Sequence, residues 1–449
     1  MRMPSTDSAE RGAYVSLGGS NSAGHGVPRH NSFADLTAAN LIKHQLVHRH
    51  ARSAIPAMGP VLPATCLHKY VPADVRFATV EYLANMGFSG GDDLSEVRAV
   101  EMLLERLQGL GARTVVINVV PSVGLRRYCT SCIRKGVVQG VLAKLTTLAE
   151  QFAAPVITVQ AQGNATHLFS ETGHLSVAGH AHVHAQLMHL FGSAWQNVSL
   201  PIHPRSLGGS PISVKCLVGD EIAPLITHAR NFNRVNFGPE LDKVGYETRS
   251  PSSELRLCLN LKELTPKDQW SHGVKSGWNP HNRSINYRVA IGMQTSHLRN
   301  LPLFGVARFR CAGCVCAACF SSAGGMNRSH GCEYDTLTRH PVTVANFFQM
   351  YAFIDIILHS YMALAAVYSR LPSYLPCCRF MYPSLQPANQ TLASGCSGCE
   401  IRIANNHEQP DGRYRLGVRS IIAGVNDWHT SWLSPYYLRQ VGLGSMRRQ

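Results

Sequence analysis

What the chain lacks narrows the field before any motif is read. It has no block of five or six lysines or arginines, although its formal net charge is +15. With the basic residues scattered, no nucleic-acid partner is expected; acidic lipid or acidic polysaccharide fit the charge equally well. Charged residues make up only 15% and hydrophobic ones 45%, far from a disordered composition. No internal repeat stands out. The first thirteen residues, MRMPSTDSAERGA, hold no apolar run of the leader type, so no signal peptide is expected there. At 449 residues the chain exceeds what one hydrophobic core usually holds, and two domains are expected.

What is present pulls the other way on location. Fourteen cysteines, most of them in the second half, are many for a cytosolic protein. Asn-X-Ser/Thr sequons stand at Asn164, Asn197, Asn282, Asn327 and Asn389. Together they favour a secreted or lumenal protein, with the cytoplasm left open by the leaderless start. Residues 344–371, VANFFQMYAFIDIILHSYMALAAVYSRL, are long enough to cross a bilayer. Asp355 and His359 lie near the middle, and an Asp there costs about 2.5–3.5 kcal/mol on insertion scales. A buried helix is the expected reading, and membrane association is not.

Residues 12–195 alternate strand and helix patterns. Tyr14–Leu17, FATVEYL (77–83), TVVINVV (114–120) and PVITVQ read as strands. NSFADLTAANLIKHQL, SEVRAVEMLLERLQGL, VLAKLTTLAEQF and SVAGHAHVHAQLMHLF carry helical stripes. Such alternation predicts a parallel sheet with helices on both faces. A Pro/Gly/Ser-rich stretch at 196–213 reads as a linker. From 214 onward, short runs such as ISVKCLV, LRLCLNL, INYRVAIGM and VARFRC predict a β-rich, sandwich-like domain. Within it, 333–395 fits no pattern and reads as an insertion.

In a doubly wound sheet, ligands bind beyond the C-terminal strand ends. There the sequence places Ser20 after the first strand, Asn85 after the second, and Glu171 and His174 after the last. A hydroxyl is a poor nucleophile until a base takes its proton, and the base needs an orienting partner. Ser20, His174 and Glu171 are of those types, and the Glu-X-X-His spacing lets the carboxylate fold back onto imidazole Nδ1. Asn85 could donate to an oxyanion beside the Ser20 N–H.

Each residue also has a plainer reading. Ser20 could cap the helix containing Ala23 and Leu36. Asn85 could be a turn residue before Gly87. His174 could lie on the surface of a histidine-rich segment. His180 and His184 share a helix face at the spacing of zinc ligands, though Ala181 stands where the best-known zinc enzymes carry Glu. No metal site is expected.

The blocks LGGSNSAG, VEYLANM and ETGHLSVAGH, in this order over about residues 14–192, resemble those of the SGNH (GDSL-type) hydrolases. The resemblance implies a flavodoxin-like three-layer α/β domain with Ser20, His174 and Glu171 catalytic, and Asn85 in the oxyanion hole. Ala57 or Gly59, in SAIPAMGPVLPATC, is nearest to the family's second-block oxyanion glycine. Gly19 stands in the usual Asp place, Met86 where Asp is often found, and Glu171 where the family has Asp. CLVGDEIAPLI, KVGYETRSPSSELRLCLNL and FGVARFRCAGCVC resemble the appended β domain of algal-type members, and the pattern resumes at 399–425.

The implied activity is that of an O-acyl esterase on an acylated carbohydrate or small ester, with no cofactor. The alternative is a hydrolase fold retired to glycan or surface binding. The cluster Cys311, Cys314, Cys316, Cys319 reads either as disulfides, the favoured reading, or as thiolates joining Cys396 and Cys399 around zinc. Cys129 and Cys132 do not fit a redox motif.

Overall fold

The computed structural model describes residues 12–56, 58–86, 94–120, 137–161, 163–191, 215–236, 244–260 and 286–294, Cys396, and the later strands named below. These fall into two units, the first ending at 191 and the second beginning at 215. Ala57, Cys129, Cys132, Cys314, the stretch 196–213 and the sequons at Asn197, Asn282 and Asn389 lie outside the described residues.

The apolar runs of the first unit are its strands. β1 (Ala13–Gly18), β2 (Arg49–Arg52), β3 (Val75–Glu81), β4 (Arg113–Val120) and β5 (Val156–Gln160) form one sheet in the order β2-β1-β3-β4-β5. Every pair is parallel. The helices are α1 (Phe33–Lys43), the short α2 (Val61–Thr65) and α3 (Leu67–Tyr70), α4 (Leu94–Gly109), α5 (Val137–Gln151) and α6 (Val177–His189). On one face Tyr14, Phe77, Ile117 and Val159 pack with Phe33 and Leu41 of α1 and Val183 and Leu187 of α6. α4 and α5 pack together and on β4, burying Leu103, Leu104, Leu107 and Leu145. This is the expected three-layer α/β architecture. Its order reverses direction between β1 and β3, the point where such sheets bind ligands.

One strand of this sheet was not expected. Arg49-His50-Ala51-Arg52 has no apolar alternation, yet β2 forms the sheet edge beside β1. Charge suits an edge strand because it deters pairing with another chain. Asp35 of α1 takes Arg52 in an ion pair and lies 3.6 Å from His50.

The second unit has two antiparallel sheets. The first orders β14 (Met326–Asn327), β15 (Cys332–Asp335), β12 (Val306–Ala312), β17 (Cys399–Asn405), β10 (Glu254–Leu259) and β7 (Ile226–Arg230). The second orders β13 (Val315–Ser321), β16 (Tyr351–His359), β11 (Asn286–Gln294), β18 (Leu416–Val425), β9 (Val244–Thr248) and β8 (Asn233–Asn236), with β6 (Lys215–Val218) also on β18. Leu255, Leu257, Phe309, Ile401 and Ile403 of one sheet share a core with Val289, Ile291, Leu416 and Ile421 of the other. Period-two alternation along β10 supplies its side of that core.

The apolar segment at 344–371 is corrected here. Its Tyr351–His359 is neither a buried helix nor a span but strand β16, paired with β11 and β13 and bringing Asp355 opposite Ala290. Periodicity cannot separate a buried helix from a buried strand in a continuous apolar run; the Tyr, Phe and Ile content suits the strand. Among the described residues no helix is long and apolar enough to cross a membrane.

Cys258 and Cys396 form a disulfide with Cα atoms 5.6 Å apart. Cys66, Cys216 and Cys399 are disulfide-bonded as well. The sulfurs of Cys396 and Cys399 are therefore committed, which removes the zinc reading that needed both as thiolates.

Candidate active site

The glycines after β1 have a steric reason. A Cβ on Gly18 would lie 2.3 Å from Ser22 Oγ and 2.7 Å from the Glu81 carbonyl, and one on Gly19 only 2.0 Å from Asn85 Nδ2. Only a bare backbone can pass so close to β3. Beyond it the chain closes a tight turn around Ser20: Ala23 N–H donates to Gly19 O at 3.1 Å and His25 N–H to Ser20 O at 2.9 Å. Ser20 is 4% exposed. It is not the cap of α1, because that helix starts at Phe33 and Ser32 Oγ accepts the Asp35 N–H. The Ser20 hydroxyl has no hydrogen-bond partner among the described residues.

Asn85 ends the short 3-10 turn Leu83–Asn85 after β3 and is buried. Its Nδ2 donates to Met58 O at 2.9 Å, while Oδ1 has no partner among the described residues. The amide thus lies against Gly19, one residue from the Ser20 N–H, with a second Nδ2 hydrogen still to donate. Met58 brings the SAIPAMGP segment to the same place. The neighbouring Gly59 faces Glu96, whose Oε1 would be 3.3 Å from a Cβ there.

His174 is 6% exposed. It lies on a loop whose hydroxyls bond its Nδ1 and its carbonyl. Ser170 Oγ donates to the His174 carbonyl at 3.1 Å, so toward Thr172 Oγ1, 2.8 Å away, it can only accept. Thr172, its one proton so placed, accepts at Oγ1 from His174 Nδ1–H at 3.0 Å. With Nδ1 as the donor in this bond, Nε2 carries the lone pair, the form that a general base needs. Burial, with His25 as the smaller cause, pushes this imidazole down to about 4; the two rings lie 4.7 Å apart.

At Nδ1 the same loop presents a different residue from the expected Glu171. The residue at Nδ1 is Thr172, while Glu171 is exposed and makes no hydrogen bond or ion pair with a described residue. In the turn that carries both, Thr172 is two residues from the imidazole and reaches it with a short side chain.

Ser20 and His174 come together through their neighbours. Asn21 Oδ1 accepts the Leu175 N–H at 3.0 Å, and Asn21 Nδ2 lies 3.5 Å from Glu81 Oε1. Glu81, the last residue of β3, is fully buried, and burial pushes its carboxyl up to about 7 against hydrogen bonds from Ser22, Asn21 and Gly19. Sequence reasoning passed over Glu81 and Thr172. A Glu inside the apolar run FATVEYL is itself a signal, because unpaired carboxylates are rarely buried.

His180 and His184 are structural. His180 Nδ1 accepts the Phe33 N–H at 3.1 Å at the start of α1. His184 bonds Thr37 Oγ1 at 3.1 Å and Asn40 Nδ2 at 2.8 Å, which occupies both its nitrogens. They join α6 to α1, which answers the zinc reading of that pair.

No protein-family model and no curated sequence matches the chain. Among solved structures it is similar to a two-domain esterase active on acetylated mannans, with 11% identity over 93% of this chain and 92% of that one and a TM-score of 0.48. It is also similar to the psychrotrophic esterase EstA from Pseudoalteromonas sp., with 15% identity over 40% of this chain and 95% of that one and a TM-score of 0.31. A GDSL-like lipase from Bacteroides thetaiotaomicron matches 42% of this chain and 91% of its own, with 13% identity and a TM-score of 0.32. The chain's neighbours in structure thus include a two-domain esterase and a GDSL-like lipase, and at these identities the likeness is one of fold.

Proposed function

We propose that the first unit, taken as 12–195, is a serine ester hydrolase acting on an O-acylated carbohydrate or a similar small ester. Ser20 Oγ attacks the acyl carbonyl while His174 Nε2 takes its proton. Asn85 Nδ2 and the Ser20 N–H receive the oxyanion, with Gly59 as the candidate third donor. His174 then returns the proton to the leaving alcohol, and water repeats the cycle on the acyl-enzyme. Thr172 Oγ1, in place of a carboxylate, holds the imidazole in the required tautomer.

One observation carries the reading: His174, its Nδ1 bonded to Thr172 Oγ1, lies on a loop bonded to the turn of an uncommitted serine. The disulfides support a secreted or lumenal location.

The test is fluorophosphonate labelling of wild type and Ser20→Ala, with p-nitrophenyl acetate turnover in parallel. Labelling and turnover lost together in the variant are the expected result. A folded wild type showing neither would transfer the protein to the glycan-binding alternative, where a hydroxyl in place of the orienting carboxylate would mark a retired site.

A further inference from the structure

The nucleophile turn is held from β3 by one buried carboxylate. Glu81 Oε2 lies 3.3 Å from Gly19 N, 3.3 Å from Ser22 N and 3.2 Å from Ser22 Oγ, so three donors on either side of Ser20 converge on one oxygen. The other oxygen faces Asn21 Nδ2 at 3.5 Å, and Asn21 in turn holds Leu175, next to His174. The two backbone N–H groups and Asn21 Nδ2 can only donate, and the Ser22 hydroxyl donates as well. The carboxylate form, an acceptor only, is the one they fit. No side chain at position 19 could replace it, since a Cβ there would lie 2.0 Å from Asn85 Nδ2.

We propose that Glu81 is the positioning residue of this site: its ionised carboxylate fixes the Ser20 turn and, through Asn21, the His174 loop. The inference rests on Ser20 being the nucleophile. Glu81 touches neither substrate nor reacting atoms and acts through the backbone of residues 19–22.

The surroundings make its charge conditional. The turn offers only neutral donors, β1 carries no charged residue, and the one charge on β4, Arg113, pairs with Phe77 at the far end of the strand. Tyr82, next along the chain, is kept neutral by burial, and His174 is reached through Asn21 and Leu175. With no cation among the described residues to offset burial, the carboxyl is pushed up to about 7. His174, pushed down to about 4, stays neutral well below that. Between these values the base is competent and the clamp is protonated.

The experiment is the pH profile of kcat/KM and of fluorophosphonate labelling for wild type and Glu81→Gln. Wild type is expected to lose activity as pH falls through about 7. Glu81→Gln should lack that step and lose kcat by about ten- to hundredfold with KM within about threefold, as misplacement without lost binding predicts. A folded Glu81→Gln with wild-type kcat, or one that keeps the step near 7, overturns the proposal. Should that variant fail to fold, wild type decides: an acid limb near 4 overturns it and one near 7 supports it, with Asn21→Ala expected to lower kcat. Wild type that never labels at any pH is instead the failure of the nucleophile reading, so the two outcomes stay distinct.

Discussion

Asn21 Oδ1 accepts the Leu175 N–H at 3.0 Å, and this bond joins the residue after Ser20 to the residue after His174. The two candidate catalytic side chains come from segments more than 150 positions apart and from different ends of the unit's sequence. One buried amide, itself bonded to Glu81, links those segments. Small shifts at Glu81 therefore reach both partners of the proton transfer.

Thr172, not Glu171, is expected to matter for the base. The Thr172–His174 bond gains strength as the imidazole becomes charged, and hydrogen bonds to charged groups contribute about 1.5–3 kcal/mol. Thr172→Val should lower kcat about ten- to hundredfold, and Thr172→Ser should restore most of it. Glu171→Gln, on an exposed side chain, should stay within about twofold of wild type. Steady-state turnover of the three variants decides; a Glu171→Gln loss exceeding that of Thr172→Val would return the carboxylate to the triad.

Much of this architecture could be read from the chain. Apolar runs gave β1, β3, β4 and β5; the continuous run of β4 marks a strand covered on both faces, while β5, at the sheet edge, alternates buried and exposed positions. Ser20, Asn85 and His174 follow from asking what those strands deliver at their ends. What could not be read depends on distance in space. β2 is charged and takes its identity from its neighbour β1 rather than from its own residues. The choice of Thr172 over Glu171 turns on the local loop geometry and on one donor count. β16 looked like a helix because an apolar run has no phase.

Gly19 should be intolerant of any side chain, and the reason can be isolated. A Cβ would be 2.0 Å from Asn85 Nδ2, and moving that amide withdraws an oxyanion donor of the kind that contributes about 3–4 kcal/mol. Gly19→Ala should then lower kcat about a hundredfold or more, close to Asn85→Ala. In the double variant the clash is gone, so the effects should not add and the rate should match Asn85→Ala alone. Rates that fall multiplicatively would show that Gly19 acts by another route, such as the turn itself.

Glu81 also sets an opposition between stability and activity. Its folded-state pKa, about 7, lies above the ordinary 4.5. The stabilisation from the neutral acid is therefore fully present below about 4.5 and is lost as pH rises through about 7, by about 3 kcal/mol in all. His174 and His180, both pushed down to about 4, act in the opposite sense: their contribution is full above 6.5 and is lost as pH falls toward 4. The raw stability curve mixes these, so the quantity to measure is wild type minus Glu81→Gln in urea unfolding across pH 4 to 8. That difference should fall steadily between about 4.5 and 7 and then level off, over the same interval in which the clamp forms and turnover rises. A flat difference would mean that Glu81 titrates as it does in the unfolded chain, and burial would then not be raising its carboxyl.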